Sequence, residues 1–185
     1  MTTLSSAEDA RTGAHSAGAK LLLIPQHNLA LATRGSTQFF LRIYELALQA
    51  SFRADFTMEQ LSAELGLVVD QLWPNYEKAA AEAGLPLEQL GTELSPKNGR
   101  MMATAYAKSD SQRPTRVQPI GGQLASPGEP LQAVMPSMSQ TDLMAHARLQ
   151  SSYLNEQMGR QVAGGRLLAG FLQNGQAVVK DLGAI

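Results

Sequence analysis

The chain has 185 residues, a formal net charge of −1 at pH 7 and no cysteine. This length corresponds to about one ordinary domain, and the absence of cysteine excludes disulfide bonds, thiol catalysis and cysteine-ligated metals. The near-zero net charge also gives no overall attraction to nucleic acid or to anionic membranes.

The first 36 residues predict an extended N-terminal arm. They are rich in alanine, serine, threonine and glycine, and they lack the basic start and long apolar run of a secretory signal. We therefore expect a cytoplasmic or virion protein without a membrane span. Two short apolar runs, Leu21–Ile24 and Leu29–Ala32, are either two short strands or one extended strip on a partner, because periodicity cannot decide over so few residues.

Residues 37–94 predict a small helical domain, since seven of the ten aromatic residues of the chain fall there. Ser36 or Thr37 can cap a helix that reaches about Ser51. Thr57 and Gln60 form a capping-box pattern at the start of a second helix.

The expected ends of the following helices depend on two residues that commonly interrupt helices. Gly66 is expected to end the second helix. Pro74 is expected in the first turn of a third helix, which ends at Gly84.

Residues 56–72 resemble the first helix and turn of a helix-turn-helix DNA-binding motif, with Ala63 packing the helix pair and Gly66 in the turn. The resemblance implies a recognition helix beginning near Val68 or Val69, on which Gln71 and Asn75 would contact bases. The same region is acidic, which favours plain helical packing because phosphates repel carboxylates. A small DNA-binding regulator using residues 57–83 is therefore the alternative hypothesis.

Residues 95–138 predict a proline-rich basic linker or arm. They contain six of the nine prolines, so a regular helix or central strand across 110–138 is not expected. Residues 1–94 carry a net charge of −5 and residues 95–185 one of +4. A solvated linker is the first interpretation of the basic stretch and docking on an acidic protein the second. The third is weak nucleic-acid binding through the most basic part of the stretch, namely Lys97, Arg100, Arg113 and Arg116.

Apolar residues recur between these prolines and predict contacts with a neighbouring protein. A mere spacer has no need of such anchors, whereas an arm lying along another surface does. The anchors chosen as partner-binding residues are Leu124, Leu131, Met135 and Met138.

Residues 139–174 predict a long amphipathic helix that begins near Ser139. Its apolar stripe cannot be buried by the helix itself, so it needs another unit or another chain. Four glycines in this range indicate close approach of another backbone or a break near 164–165. Residues 175–185 are expected to form a tail, in which Gln176–Lys180 could be a short strand. The stripe residues expected to bind a partner are Leu143, Leu154, Met158, Val162, Leu168 and Leu172.

We expect no catalytic, metal or cofactor site. The three histidines are far apart, and neither the carboxylates nor the glycines form a catalytic or phosphate-binding pattern. The stretch Ala14–Gly18 matches a hydrolase serine turn only superficially, because no strand or helix is indicated beside it.

These patterns together predict a mainly α fold with little β structure: a small helical unit and a long C-terminal amphipathic helix, joined by extended Pro/Gly-rich arms. Extended segments order only when they lie on another surface. The resulting hypothesis is a non-catalytic structural or adaptor subunit of a large homo- or hetero-oligomeric assembly. A phage virion and a bacterial secretion or conjugation machine are examples of such assemblies.

Overall fold

The computed structural model describes residues 2–4, 6–8, 15–17, 20–83, 89–97, 100–125, 127–133, 135, 137–173 and 176–185. The helices within these residues are α1 (Thr37–Ser51), α2 (Met58–Ala83) and α3 (Gln140–Met158). The strands are β1 (Thr2–Leu4), β2 (Ser6–Glu8), β3 (His15–Ala17), β4 (Leu21–Ile24), β5 (Leu29–Gly35), β6 (Gln89–Lys97), β7 (Arg100–Lys108), β8 (Arg116–Ile120), β9 (Arg166–Gln173) and β10 (Gln176–Ala184).

The strands form two main antiparallel sheets. A five-stranded sheet has the order β4-β5-β6-β7-β8, and a three-stranded sheet has the order β1-β9-β10. A separate hairpin joins β2 and β3. The prediction of a mainly α fold with little β structure is therefore wrong.

The two apolar runs near the N-terminus form the β4–β5 hairpin. Leu21 pairs with Ala32 and Ile24 with Leu29. A short 3₁₀ turn joins the strands and ends at Asn28, which has a φ of 52°. Asparagine tolerates this left-handed conformation better than most residues do. Both faces of the hairpin are buried, which explains why its strands are continuous apolar runs without alternation.

One face of the five-stranded sheet is covered by α1 and α2. Trp73 is completely buried at the centre of this layer, and its ring lies 5.5 Å from that of Phe39 and 5.3 Å from that of Tyr76. Tyr106 on β7 is buried in the same cluster, and its hydroxyl donates a 2.8 Å hydrogen bond to the Ser62 carbonyl. The aromatic-rich segment thus forms the largest core of the described chain.

The starts of both helices confirm the capping predictions. The Ser36 hydroxyl accepts a 3.2 Å hydrogen bond from the Phe39 amide at the first turn of α1. The Thr57 hydroxyl accepts one of the same length from the Gln60 amide at the start of α2. Short polar side chains satisfy amides that have no partner within the helix.

The expected interruptions at Gly66 and Pro74 are wrong, because α2 is one 26-residue helix that contains both residues. A Cβ at Gly66 would lie 3.1 Å from a methyl group of Val117, so the glycine allows α2 to approach β8 closely. Pro74 removes one helical hydrogen bond. The burial of Trp73 before the proline and of Ala80 after it keeps the helix continuous, since packing contributes more to helix stability than local propensity does.

The second face of the five-stranded sheet packs against the three-stranded sheet. Leu21, Ala30 and Ala32 are buried between them, and Leu168 on β9 and Val179 on β10 pack from the opposite side. The outer face of the three-stranded sheet is covered by α3, whose Leu143 and Ala147 are buried against Leu167. The described chain is therefore a four-layer sandwich of helices, sheet, sheet and helix.

The long C-terminal helix predicted over residues 139–174 is also wrong. Ser139 caps α3 as expected, but the helix ends at Gly159, which has a φ of 61°. Gly164 and Gly165 also have positive φ values, and β9 begins directly after them. Leu167 and Ala169 are fully buried between two layers, so an apolar run with helical spacing forms a central strand.

The proline-rich range 95–138 holds strands and not a free arm. Pro119 lies on β8, an edge strand of the sheet, where a missing amide is tolerated. Pro96 lies on β6 and pairs with Met101 of β7. It comes after Leu94, the last β6 residue that pairs with β5, so its missing amide is not needed on that side. The segment before α3 packs beside it at the described residues: Gln123 and Met135 exchange hydrogen bonds, Met135 packs against the Leu143 cluster, and the Gln150 amide group donates to the Pro127 carbonyl.

Candidate functional site

A cationic site lies at the end of the β4–β5 hairpin. The Thr33 amide donates a 3.1 Å hydrogen bond to the Lys20 carbonyl, which extends the strand pairing by one step. The Lys20 and Arg34 side chains are each partly buried there. Thr33 is buried, and its hydroxyl donates a 3.2 Å hydrogen bond to the Arg34 carbonyl. Two cationic side chains and a buried hydroxyl group therefore belong to one strand end.

The pKa of Lys20 differs from that of an ordinary surface lysine. Burial lowers the pKa of Lys20 below the usual lysine value, and the nearby Arg34 guanidinium lowers it further. Both causes destabilise the charged ammonium form. The N-terminus of α1 follows directly after Gly35 and has no acidic residue in its first turn. The helix dipole adds positive potential near the same place.

The Lys20 amine therefore loses its proton more readily than that of an exposed lysine. A neutral amine can accept a proton or attack an electrophile, and a guanidinium pairs with carboxylate or phosphate groups. The sequence pattern did not indicate Lys20. A single lysine before an apolar run gives no signal of burial, which arises only when the chain folds.

The basic stretch after residue 95 is partly neutralised within the chain. Lys108 has a side chain only 4% exposed, and its ammonium group lies 2.6 Å from an Asp70 carboxylate oxygen. The same oxygen accepts hydrogen bonds from the Thr115 amide at 2.8 Å and from the Thr115 hydroxyl at 2.7 Å. The Ser111 amide donates to Glu77. Two carboxylates of α2 therefore hold the turn between β7 and β8.

The environment of Asp70 lowers its pKa. Burial alone raises the pKa, but the hydrogen bonds from Lys108 and Thr115 and the Lys108 charge outweigh it. The ammonium group of Lys108 also donates to the Arg113 carbonyl. This cluster links a helix to a strand and a turn, which makes it a structural contact.

The residues predicted to contact nucleic acid lie on different elements. Gln71 and Asn75 are exposed on α2, whereas Arg116 is exposed on β8 and Arg113 lies in the preceding turn with its side chain 84% exposed. The side chains of Lys97 and Arg100 lie outside the described part of the chain, although their backbones pair at the β6–β7 turn. The turn of a helix-turn-helix motif is absent at Gly66, and DNA binding stays a prediction.

The predicted partner-binding residues divide into covered and exposed groups. Leu143 is buried in the core beneath α3, and Met135 packs against the same cluster. Leu168 packs between the two sheets. Leu131, Leu154 and Val162 are partly buried, and the Leu172 side chain lies outside the described residues. The exposed members are Leu124, Met138 and Met158.

The described residues contain no group of three or more histidines and carboxylates that could hold a metal ion. Within the same ranges, none of the helices has the length and apolar composition needed to span a membrane. His27 pairs with the Ser51 carbonyl at 2.9 Å and His146 with the Asp142 carbonyl at 2.8 Å, and His15 has no described side chain.

Comparison with known proteins extends only to the fold. Neither a family model nor a curated protein matches the chain. Among solved structures, Anbu (ancestral beta-subunit) from Yersinia bercovieri is similar, with a TM-score of 0.55 and 13% sequence identity. The similarity covers 97% of this chain and 76% of that chain. At this identity the similarity concerns the four-layer architecture alone.

Proposed function

We propose that this chain is a structural subunit of an assembly formed with further copies of itself, and that it binds its neighbours through the α3-side surface. We define that surface by four apolar residues: Leu124, Met138, Leu149 and Met158. The observation that carries the proposal is their exposure, which is 47%, 56%, 47% and 52% respectively.

All four residues belong to α3 or to the segment that runs beside it. Leu149 and Met158 are helical residues, and Met138 directly precedes the capping Ser139. Leu124 follows Gln123, which hydrogen-bonds to Met135. Apolar side chains that stay exposed on one layer can bind a neighbouring chain, because covering them removes apolar area from water.

The fold comparison supports a role as a subunit. The similar solved structure is itself named a beta-subunit, and its similarity covers nearly all of this chain. In a homo-oligomer every copy presents the same surface, so the exposed apolar side chains of this layer can build a repeated contact. Methionine suits such a contact since its flexible side chain adapts to irregular surfaces.

Sedimentation velocity of the purified chain tests the proposal. We expect an oligomer, and we expect the double variant Leu149→Lys, Met158→Lys to sediment as a smaller species. The matched control is Leu41→Lys, Leu67→Lys on α1 and α2, where the residues are 48% and 63% exposed. A wild-type monomer, or equal dissociation by both double variants, would contradict the α3-side surface as the contact.

The proposed subunit is non-catalytic. His27 and His146 each pair with a backbone carbonyl, so neither is placed to activate a hydroxyl nucleophile. Hydrolysis of peptide or ester substrates by the purified assembly tests this part. Turnover that is lost in Lys20→Met while the oligomer persists would show a catalytic subunit and leave the assembly role intact.

A further inference from the structure

The outer edge of β8 has no backbone partner in the described part of the chain. β8 is the last strand of the five-stranded sheet, and it pairs there with β7 on one side only. Four of its five residues are exposed, and a Cβ at Gly121, directly after the strand, would meet no atom within 4 Å. An open sheet edge can receive another strand, because its free amides and carbonyls still need partners.

The two faces of β8 differ in chemistry. Val117 points towards α2, since one of its methyl groups would lie 3.1 Å from a Cβ at Gly66, and it is 49% exposed. Arg116 and Gln118 point to the opposite face, because side chains alternate along a strand. The Arg116 guanidinium donates a 3.3 Å hydrogen bond to the Gln118 side chain, as expected for two residues on one face. An added strand would therefore meet an apolar side chain on one face and a cation on the other.

The cations at this edge are little neutralised by the chain itself. Arg113, in the turn before β8, lies 3.9 Å from an Asp110 carboxylate oxygen, which is the outer limit of an ion pair, and its side chain is 84% exposed. Arg116 is exposed as well, and no carboxylate of the described residues pairs with it. Two exposed guanidinium groups favour a carboxylate-bearing partner, because each offers a planar set of donors to an oxyanion.

The start of β8 is held in place from within the molecule. The Asp70 carboxylate accepts hydrogen bonds from the Thr115 amide and hydroxyl, and it also pairs with Lys108. The Lys108 ammonium group donates to the Arg113 carbonyl. An edge that is already fixed loses little conformational freedom when a partner binds, which favours binding.

We propose that the β8 edge binds an extended acidic segment of another protein, which adds a strand to the five-stranded sheet. Residues opposite each other on paired strands share a face. The segment therefore alternates: an apolar residue lies opposite Val117, and the acidic residues on either side of it face Arg116 and Gln118. The inference is independent of the α3-side surface.

A second copy of this chain fits the edge less well than an acidic segment does. It would bring the same two cations, Arg113 and Arg116, to the contact. Pro119 also offers no amide, which limits pairing to a short stretch and disfavours the joining of two whole sheets. The charges and the short edge together favour a brief acidic strand.

Fluorescence anisotropy of a labelled peptide of alternating glutamate and valine, titrated with the full-length protein, tests the proposal. We expect Arg116→Glu to weaken binding by about tenfold or more, since loss of one charge-assisted contact accounts for about that ratio. Lys78→Glu, which makes the same charge change at an exposed residue of α2, is the matched control and should bind like the wild type. A peptide of the same composition, with its glutamates and valines in separate blocks, should lose the binding.

Backbone methylation of the peptide separates strand pairing from simple charge attraction. Two peptides are compared, each N-methylated at every second residue, in the two possible phases. Because the amides of successive strand residues point to opposite edges, only one of the two phases blocks the amides that face β8. We expect one methylated peptide to lose binding and the other to keep it. Equal affinities for the two would overturn strand pairing at this edge.

Three further results would overturn the inference. The first is unchanged peptide affinity in Arg116→Glu. The second is a wild-type oligomer that dissociates in Arg116→Glu while the peptide does not bind, which would assign the edge to a second copy. The third is loss of peptide binding in Leu149→Lys, Met158→Lys, which would place the peptide on the α3-side surface. Binding that persists in that double variant supports the β8 edge, whatever the oligomeric state.

Discussion

The two outer layers of the molecule cover their sheets in different ways. α1 and α2 bury a cluster that includes Phe39, Trp73 and Tyr106 against the five-stranded sheet. α3 buries only Leu143, Ala147 and Ser151 among its described residues, against the three-stranded sheet. The larger aromatic layer removes more apolar area from water and contributes more to stability. Both layers expose apolar side chains, with Leu41 and Leu67 on α1 and α2 and Leu149 and Met158 on α3, so the layers differ in what they bury and not in what they leave exposed.

The largest effect is expected at the centre of the aromatic layer. Trp73→Ala removes a fully buried side chain and leaves a cavity, so we expect a loss of about 3–5 kcal/mol in the free energy of unfolding. Urea denaturation followed by circular dichroism measures it. Phe52→Ala, at a residue 77% exposed, is the control and should change stability little. A small loss at Trp73 would mean that this layer does not dominate the fold.

A cavity-forming substitution beneath α3 should lower the free energy of unfolding by less than Trp73→Ala does. Leu143→Ala also creates a cavity, but in a smaller cluster at the edge of the sandwich, and we expect a loss of about 2–3 kcal/mol. Hydrogen exchange should show weaker protection in α3 with little change in α1. Leu149→Ala, at an exposed residue of α3, is the control and should change protection little. Equal loss of protection in α1 and α3 on Leu143→Ala would show that the two layers unfold as one unit.

The contact between α2 and the β7–β8 turn should make stability depend on pH. Because the pKa of Asp70 is lowered in the folded state, its stabilising effect is complete above the ordinary carboxyl pKa of about 4 and is lost as the pH falls through the lower folded value. Asp70→Asn leaves Lys108 without its charged partner, and we expect a loss of about 1–3 kcal/mol at pH 7.

Denaturation of both proteins between pH 7 and pH 2 checks this expectation. The stability difference between wild type and Asp70→Asn should narrow at the acid end. Glu64→Gln, at an exposed residue in the interior of the same helix, should be neutral throughout. A difference that stays constant over the whole range would show that the Asp70 charge contributes nothing.

The smallest expected losses of stability come from the helix caps, an interaction that both layers have. Ser36→Ala and Ser139→Ala each remove a side-chain cap from a helix, and each should cost about 1 kcal/mol. Thermal unfolding of the two variants, with Ser36→Thr and Ser139→Thr as conservative controls, measures the costs. A larger loss at Ser139 would indicate that α3 depends on its cap because it has less packing.

The cationic strand end could not have been located from the sequence. Lys20 and Arg34 are 14 positions apart, and only the β4–β5 register brings them to one end of the hairpin. Leu124, Met138 and Met158 of the predicted partner set lie at the surface, and their contact with a partner stays a prediction. Leu143 fell in the same helical stripe, but the chain covers it with its own sheet.

The sequence by itself determined the local features that depend on neighbouring residues: the caps of α1 and α2, the start of α3 at Ser139, and the apolar runs of the β4–β5 hairpin. The tertiary structure decided the rest. It kept α2 continuous through Gly66 and Pro74, turned the run after Gly165 into a buried strand, and placed Pro119 on a sheet edge. In each case burial between layers outweighed a local preference, because packing energies that join distant residues exceed the propensity of a single residue.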